Sequence, residues 1–254
     1  MRSEIVADFG SSHGGSVILA LDLVNSAKKL GFTAVQFQLS TASHEWCALI
    51  NEHCKAIGIE WSAEVGDEEC AEIIAQYNPR WIRMPRGKGY YLDLLNYCIR
   101  NFEEVRVSTE NLGWNAIRII KKILHSPPRK ITGAVIETHN RLPQKRVGVL
   151  IHSSWNGLIT ADGMNMRAIE RMRVELANKR VAVGYSGNVD SIYSGAVAVT
   201  YGATVIERNY FAEEECYDEH GNLATDTESA EAFIRGVREA ERMIGSSCPP
   251  IEIQ

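Results

Sequence analysis

Short apolar runs alternate along the chain with longer stretches of helical periodicity. The runs are EIVADF (residues 4–9), TAVQFQ (33–38), IEWSAE (59–64), WIRMP (81–85), VRVST (105–109), VGVLIHS (147–153), VAVGYS (181–186) and TVIERN (204–209). Their length and β-branched content suit strands buried on both faces. Between the first two, Val17, Leu21 and Val24 recur at i, i+4 and i+7, and Gly31 stands where a helix would end. Helical spacing returns in SHEWCALINEHCKAIG, DEECAEIIAQY, YLDLLNYCI, WNAIRIIKKIL, NMRAIERMRVEL, SIYSGAVAVTYG and ESAEAFIRGVREAERMI. Strand and helix alternating in this way predict parallel strands joined by crossovers, an α/β protein of the (β/α)8 TIM-barrel class.

A chain of 254 residues with 45% hydrophobic content is a common size for one such barrel. A single domain over 1–254 is expected, with residues 126–146 as an insertion before the sixth strand and SSCPPIEIQ as a tail. The formal charge of −5 supplies no basic field for nucleic acid, so small molecules are the expected partners. The N-terminus lacks the apolar core of a signal peptide, and no window approaches the roughly 20 apolar residues of a membrane span, so a cytoplasmic location is expected. Six cysteines without CxxC spacing read as free thiols. His44, Cys47, His53 and Cys54 lie close together, but Cys47 and Cys54 share one helix face, which favours packing over a zinc site.

In such barrels the chemistry sits at the C-terminal ends of the strands. Here those ends are polar: Asp8 through Gly15 with His13, Gln36 and Gln38, Ser62 and Glu64, Arg83 through Lys88, Ser108 through Asn111, His152 through Ser154, Tyr185 through Asn188, and Glu207 through Asn209. Arg83, Arg86 and Lys88 among glycines suit a phosphate or carboxylate, and Arg83 alternates with Ile82 and Met84 so as to point to one face. His152 can ligate a metal or carry a proton.

Taken in order, IVADFGSSHGG, LGFTAVQFQ, SHEWCALINEHCKAIGIEWSAEV, RWIRMPRGK, VRVST, LIHSSWNGLITADGMNMRAI, VAVGYSGNVD and YGATVIERNYF make the chain resemble the sialic acid synthase (N-acetylneuraminate synthase) family. The resemblance implies a cytoplasmic transferase of nonulosonic acid biosynthesis that condenses phosphoenolpyruvate with a sugar aldehyde held by manganese or magnesium, and it implies a homodimer. It also assigns residues. Asp8, His152 and Glu207 fall at catalytic positions, and Arg83 stands at a ligand-binding lysine. Asn165 and Arg167 match an Asn-Leu-Arg motif; beside what the resemblance assigns, the polar strand ends themselves offer His13, Gln36, Gln38, Ser62, Arg86, Lys88, Ser108, Tyr185, Ser186, Asn188 and Arg208 as the remaining expected substrate contacts.

The departures are specific. Gln36 replaces a lysine, Asp8 a glutamate, and Arg86 and Lys88 a serine and a glutamate. Gly187 and Asn188 replace the acid and the histidine of a Ser-Asp-His-Thr motif, Asn209 replaces a further histidine, and the family's C-terminal antifreeze-like domain has no counterpart in the sequence. An asparagine amide is a poor transition-metal ligand, so a metal site at His152 is expected to be weak or lost. A metal-independent lyase or isomerase on the same barrel, and a non-catalytic binder of anions or sugar phosphates, stand as alternatives.

Overall fold

A computed structural model describes residues 2–39, 43–85, 91–125, 148–154, 161–187, 191–211 and 226–245. The expected insertion at 126–146, the tail, and Arg86, Lys88, Asn188, Cys216 and Cys248 lie outside the described residues. The strands are β1 (Glu4–Asp8), β2 (Ala34–Gln38), β3 (Glu60–Glu64), β4 (Trp81–Met84), β5 (Glu104–Ser108), β6 (Gly148–Ser154), β7 (Val181–Gly187) and β8 (Val205–Asn209). All pair in parallel, and β8 closes on β1 to make a barrel. The crossover helices are α1 (Val17–Leu30), α2 (His44–Ile57), α3 (Glu68–Ala75), α4 (Leu92–Asn101), α5 (Trp114–His125), α6 (Arg167–Glu175), α7 (Ser194–Thr200) and α8 (Thr227–Ile244). None among the described residues is long and apolar enough to cross a membrane.

The helices begin and end where local chemistry directs. Ser16 accepts from the Leu19 N–H at the start of α1, and Ser43, Asp67 and Asp226 do the same for Trp46, Cys70 and Ser229. Gly31 and Gly58 close α1 and α2 with φ of 97° and 69°, a left-handed conformation that costs glycine nothing. Cys47 and Cys54 lie buried on the inner face of α2, and no group of three or more metal-ligating side chains occurs among the described residues.

Period-two alternation divides the core. Ile5, Val35, Ile82, Val107, Leu150, Val183 and Ile206 face the helices in the large outer cluster, whereas Val6, Ala34, Trp81, Val149, Ile151 and Val205 pack inside the barrel. An ionic network closes the N-terminal end. Arg106 donates to Glu104 at 2.9 Å and to Glu4 at 2.9 Å, and its guanidinium lies 4.1 Å from the Trp81 ring. Arg80 binds Glu4 at 2.6 Å and Glu60 at 2.7 Å. Two arginines are thus shared among three carboxylates at the face of the barrel remote from the strand C-termini, where the reading is structural.

Two glycines of β7 are dictated by their neighbours. A Cβ at Gly184 would lie 2.5 Å from Ile151 Cδ1 and 2.9 Å from the Val205 carbonyl oxygen, and one at Gly187 would lie 2.5 Å from Tyr185 Cζ and closer still to its hydroxyl. Gly184→Ala meets backbone and is expected to destabilise by about 2–3 kcal/mol; Gly187→Ala meets a movable ring and should cost about 1–2 kcal/mol, less in a Tyr185→Leu background. Urea denaturation of the three variants checks this order, and equal losses at the two glycines would contradict it.

Candidate functional site

The inward positions near the strand C-termini form two tiers. The lower tier is buried: Gln36, Ser62, Ser108 and Glu207 are fully enclosed and Arg83 is 3% exposed. Above it, Asp8, Gln38, Glu64, Ser153, Ser186 and Asn209 are partly exposed. The ladder sets them side by side, with Asp8 opposite Gln36 and Asn209, Gln36 opposite Ser62, Gln38 opposite Glu64, and Ser186 opposite Glu207 and Ser153.

At the centre, Arg83 Nε donates to Glu207 Oε2 at 3.0 Å while its Nη1 donates to the Met84 carbonyl at 2.9 Å. The ion pair spans the barrel interior between β4 and β8, and the other Glu207 oxygen has no hydrogen-bond partner. Asp8 is pushed up to about 6 by burial first and by the Glu207 carboxylate next, against the pull of the Gly10 N–H and the Arg83 guanidinium. It can therefore change protonation near neutral pH. The Gln36 amide lies near the Asp8 carboxyl without a hydrogen bond of ordinary geometry. Ser62 Oγ donates to the Trp81 carbonyl, and Ser108 Oγ donates to Ser153 Oγ at 3.1 Å.

Several residues expected at the site are placed elsewhere. Tyr185 belongs to the helix-facing cluster, and His152, opposite it in the β6–β7 ladder, shares that outward side. His152 Nε2 bonds the Met164 carbonyl at 2.9 Å, under the 3-10 turn Ala161–Met164, and burial lowers its proton affinity so that it is neutral at pH 7. The hydroxyl of Tyr185 is pushed up to about 12 by burial. Arg208 lies 5.2 Å from the Phe233 ring of α8, also outside the barrel. His13 stacks within 5.1 Å of Trp46 and accepts from the Gly15 N–H at 3.1 Å, so it organises the β1–α1 turn. Asn165 and Arg167 line an open groove of about 540 Å3 with Trp114, Asp162, Arg171 and Tyr201. For Tyr185, His152 and Arg208 the expectation rested on nearness to a strand end, and alternation sent the side chain to the other face. Conversely, Glu64, which lies opposite Arg83 and acts on its charge, was legible as the third inward position of β3 after residues 60 and 62.

Comparison with known proteins locates this arrangement. A family model described as the NeuB family matches residues 24–248. The chain belongs to the NeuB family. Among relatives, it is 22% identical to the N,N'-diacetyllegionaminic acid synthase of Legionella pneumophila, over 97% of this chain and 74% of that protein. It is 20% identical to a pseudaminic acid synthase of Campylobacter jejuni, over 95% and 74%. The N-acetylneuraminic acid synthetase of Leptospira borgpetersenii, solved with citrate, superposes with a TM-score of 0.83 at 15% identity, covering all of this chain and 88% of that one. A truncated 3-deoxy-D-arabino-heptulosonate 7-phosphate synthase from Thermotoga maritima superposes with a TM-score of 0.75 at 12% identity, over 96% and 88%. At such identities the structural likenesses show the fold.

Within this NeuB barrel the metal implied by the resemblance is not matched by the described donor set. His152 lies on the outer side, its Nε2 engaged by a backbone carbonyl, and no group of three or more metal-ligating side chains occurs among the described residues. Position 187, where the family pattern has an acid, is occupied by a glycine because the Tyr185 hydroxyl takes the space a side chain would need.

Proposed function

We propose that this NeuB-family chain is a synthase joining phosphoenolpyruvate, or a similar enol acid, to a sugar aldehyde to give a 3-deoxy sugar acid. The observation that carries the reading is the pair of inward carboxyls, Asp8 and Glu207, gathered with Arg83 at the C-terminal mouth of a barrel whose relatives are named as synthases of such acids. In the reaction the enol methylene carbon attacks the aldehyde carbon. The carbon–carbon bond forms as the aldehyde oxygen takes a proton and becomes a hydroxyl. Water then adds to the former enol carbon, losing one proton, and phosphate leaves with its bridging oxygen as the new hydroxyl gives up its second proton to become the keto oxygen. Asp8 is the proton carrier, because it can hold a proton near neutral pH, whereas neutral His152 lies outside the inner ring. Arg83 offers its positive field to the carboxylate of the enol acid while Glu207 keeps it in place. Arg86 and Lys88, outside the described residues, are assigned to the phosphate, and a homodimer is retained as the working assembly.

The test is phosphate release when phosphoenolpyruvate is mixed with a panel of aldoses, with and without manganese. Release that depends on one aldose and falls steeply in Asp8→Asn is expected; no release with any aldose under either condition overturns the reading. One observation favours a second reading. Asp8, Glu64 and Glu207 outnumber the single inward arginine of the mouth among the described residues, which suits a substrate less anionic than phosphoenolpyruvate and a lyase or isomerase reaction. Failure of phosphoenolpyruvate to compete with neutral sugars for binding would select it.

A further inference from the structure

Gln36 is the costliest residue of the mouth to explain by packing. It is fully buried on β2 between Ala34 and Gln38 on the inward face, and both polar atoms of its amide lack a hydrogen-bond partner. A buried amide left this way costs about 1–3 kcal/mol, and a leucine or methionine would fill the same volume without that cost. Its ladder partner on one side is Asp8 and on the other Ser62, whose hydroxyl is already committed to the Trp81 carbonyl. The group left for the amide is therefore the Asp8 carboxyl.

The other charges that face Asp8 are accounted for. Across β8 lies Glu207, held by Arg83 from β4, and beside Arg83 stands Glu64 of β3; Asn209, opposite Asp8 on β8, is neutral. Arg83 spends one guanidinium nitrogen on Glu207 and a second on a carbonyl. Asp8 thus has an amide, not a cation, as its nearest lateral neighbour on β2. A primary amide can donate to a carboxylate through its nitrogen and accept from a carboxylic acid through its oxygen, so it tolerates both states of the neighbouring group. A cation in its place would favour the ionised state alone.

We propose that Gln36 is a positioning residue that holds Asp8 as the proton-carrying carboxyl of the mouth. This deepens the reading of Asp8 given above, and its test is a titration that needs no turnover, so the two stand or fall separately. The side-chain carboxyl carbon of Asp8, assigned by comparison with Asp8→Asn, is followed by NMR across pH in the wild-type chain, in Gln36→Lys and in Gln36→Met. The wild-type midpoint is expected near 6. Gln36→Lys should lower it by about one unit or more, and Gln36→Met, which removes the nearby amide that favours the carboxylate, should raise it. Should the buried lysine prevent folding, Gln36→Glu tests the same contact with the opposite sign, and its second carboxyl should raise the midpoint. A wild-type midpoint near 4, shifts of the same sign in Gln36→Lys and Gln36→Met, or no shift in the folded variants would overturn the proposal; opposite shifts support it even if no aldose is ever found to react.

Discussion

Replacing Arg83 with methionine is expected to destabilise the protein by about 3–5 kcal/mol, a large share of the stability of an ordinary domain. Glu207 is fully enclosed, and its one bonded oxygen accepts from Arg83 at 3.0 Å. Removing the guanidinium leaves that carboxylate buried without a counter-charge and within the field of Asp8. The cost comes from the abandoned charge more than from the lost attraction, because a buried pair gains little over an apolar pair of equal volume. The double variant Arg83→Met/Glu207→Met should therefore recover most of the loss while remaining inactive. Urea denaturation of the wild type, both single variants and the double variant measures the coupling. A single-variant loss below about 1 kcal/mol, or a double variant no better than the worse single one, would show that the pair does not hold the mouth together.

The second large effect should come from Asp8→Asn, which is expected to stabilise the fold at pH 7 and to cut activity by about 100-fold or more. Asp8 is held at about 6 in the folded protein against 3.8 for an ordinary aspartate. Below about pH 4 both the folded and the unfolded chains carry the proton, and the shift has no effect on stability. Between about 4 and 6 the folded state holds a proton that the unfolded state has lost, so stability falls as pH rises. Above about 6 the penalty is complete, near 3 kcal/mol for a shift of about two units, and discounted to about 1–2 kcal/mol because the carboxyl is partly exposed. Asparagine does not titrate, so the gain of Asp8→Asn over wild type should be largest at neutral pH and vanish near pH 4. Thermal unfolding of both proteins from pH 4 to 8 gives the comparison. A gain independent of pH would mean that Asp8 is not a displaced acid.

The barrel was legible because each element carried its own period. Strands announced themselves as short apolar runs, α1 ended at the glycine its pattern required, and the inward aim of Arg83 followed from its place between Ile82 and Met84. The site was harder to read for a physical reason. At a strand end such as Tyr185-Ser186-Gly187 no hydrophobic alternation remains to show which residues face in. Ser186 faces the mouth beside Glu207, whereas Tyr185 faces the outer, helix-side cluster, and only the β6–β7 pairing shows that His152 goes outward with it.

Local chemistry in the chain was thus enough to settle strands, helices, caps, their order and the family pattern, since each depends on residues a few positions apart. Partners distant in sequence were settled by closure of the barrel. Arg83 meets Glu207 across 124 positions, Asp8 acquires its raised proton affinity from burial and from a carboxylate on the last strand, and Gly187 answers to the ring of Tyr185. Burial and the field of distant charges arise only when all eight strands are in register, and these two quantities decide which polar residues of the mouth can do chemistry.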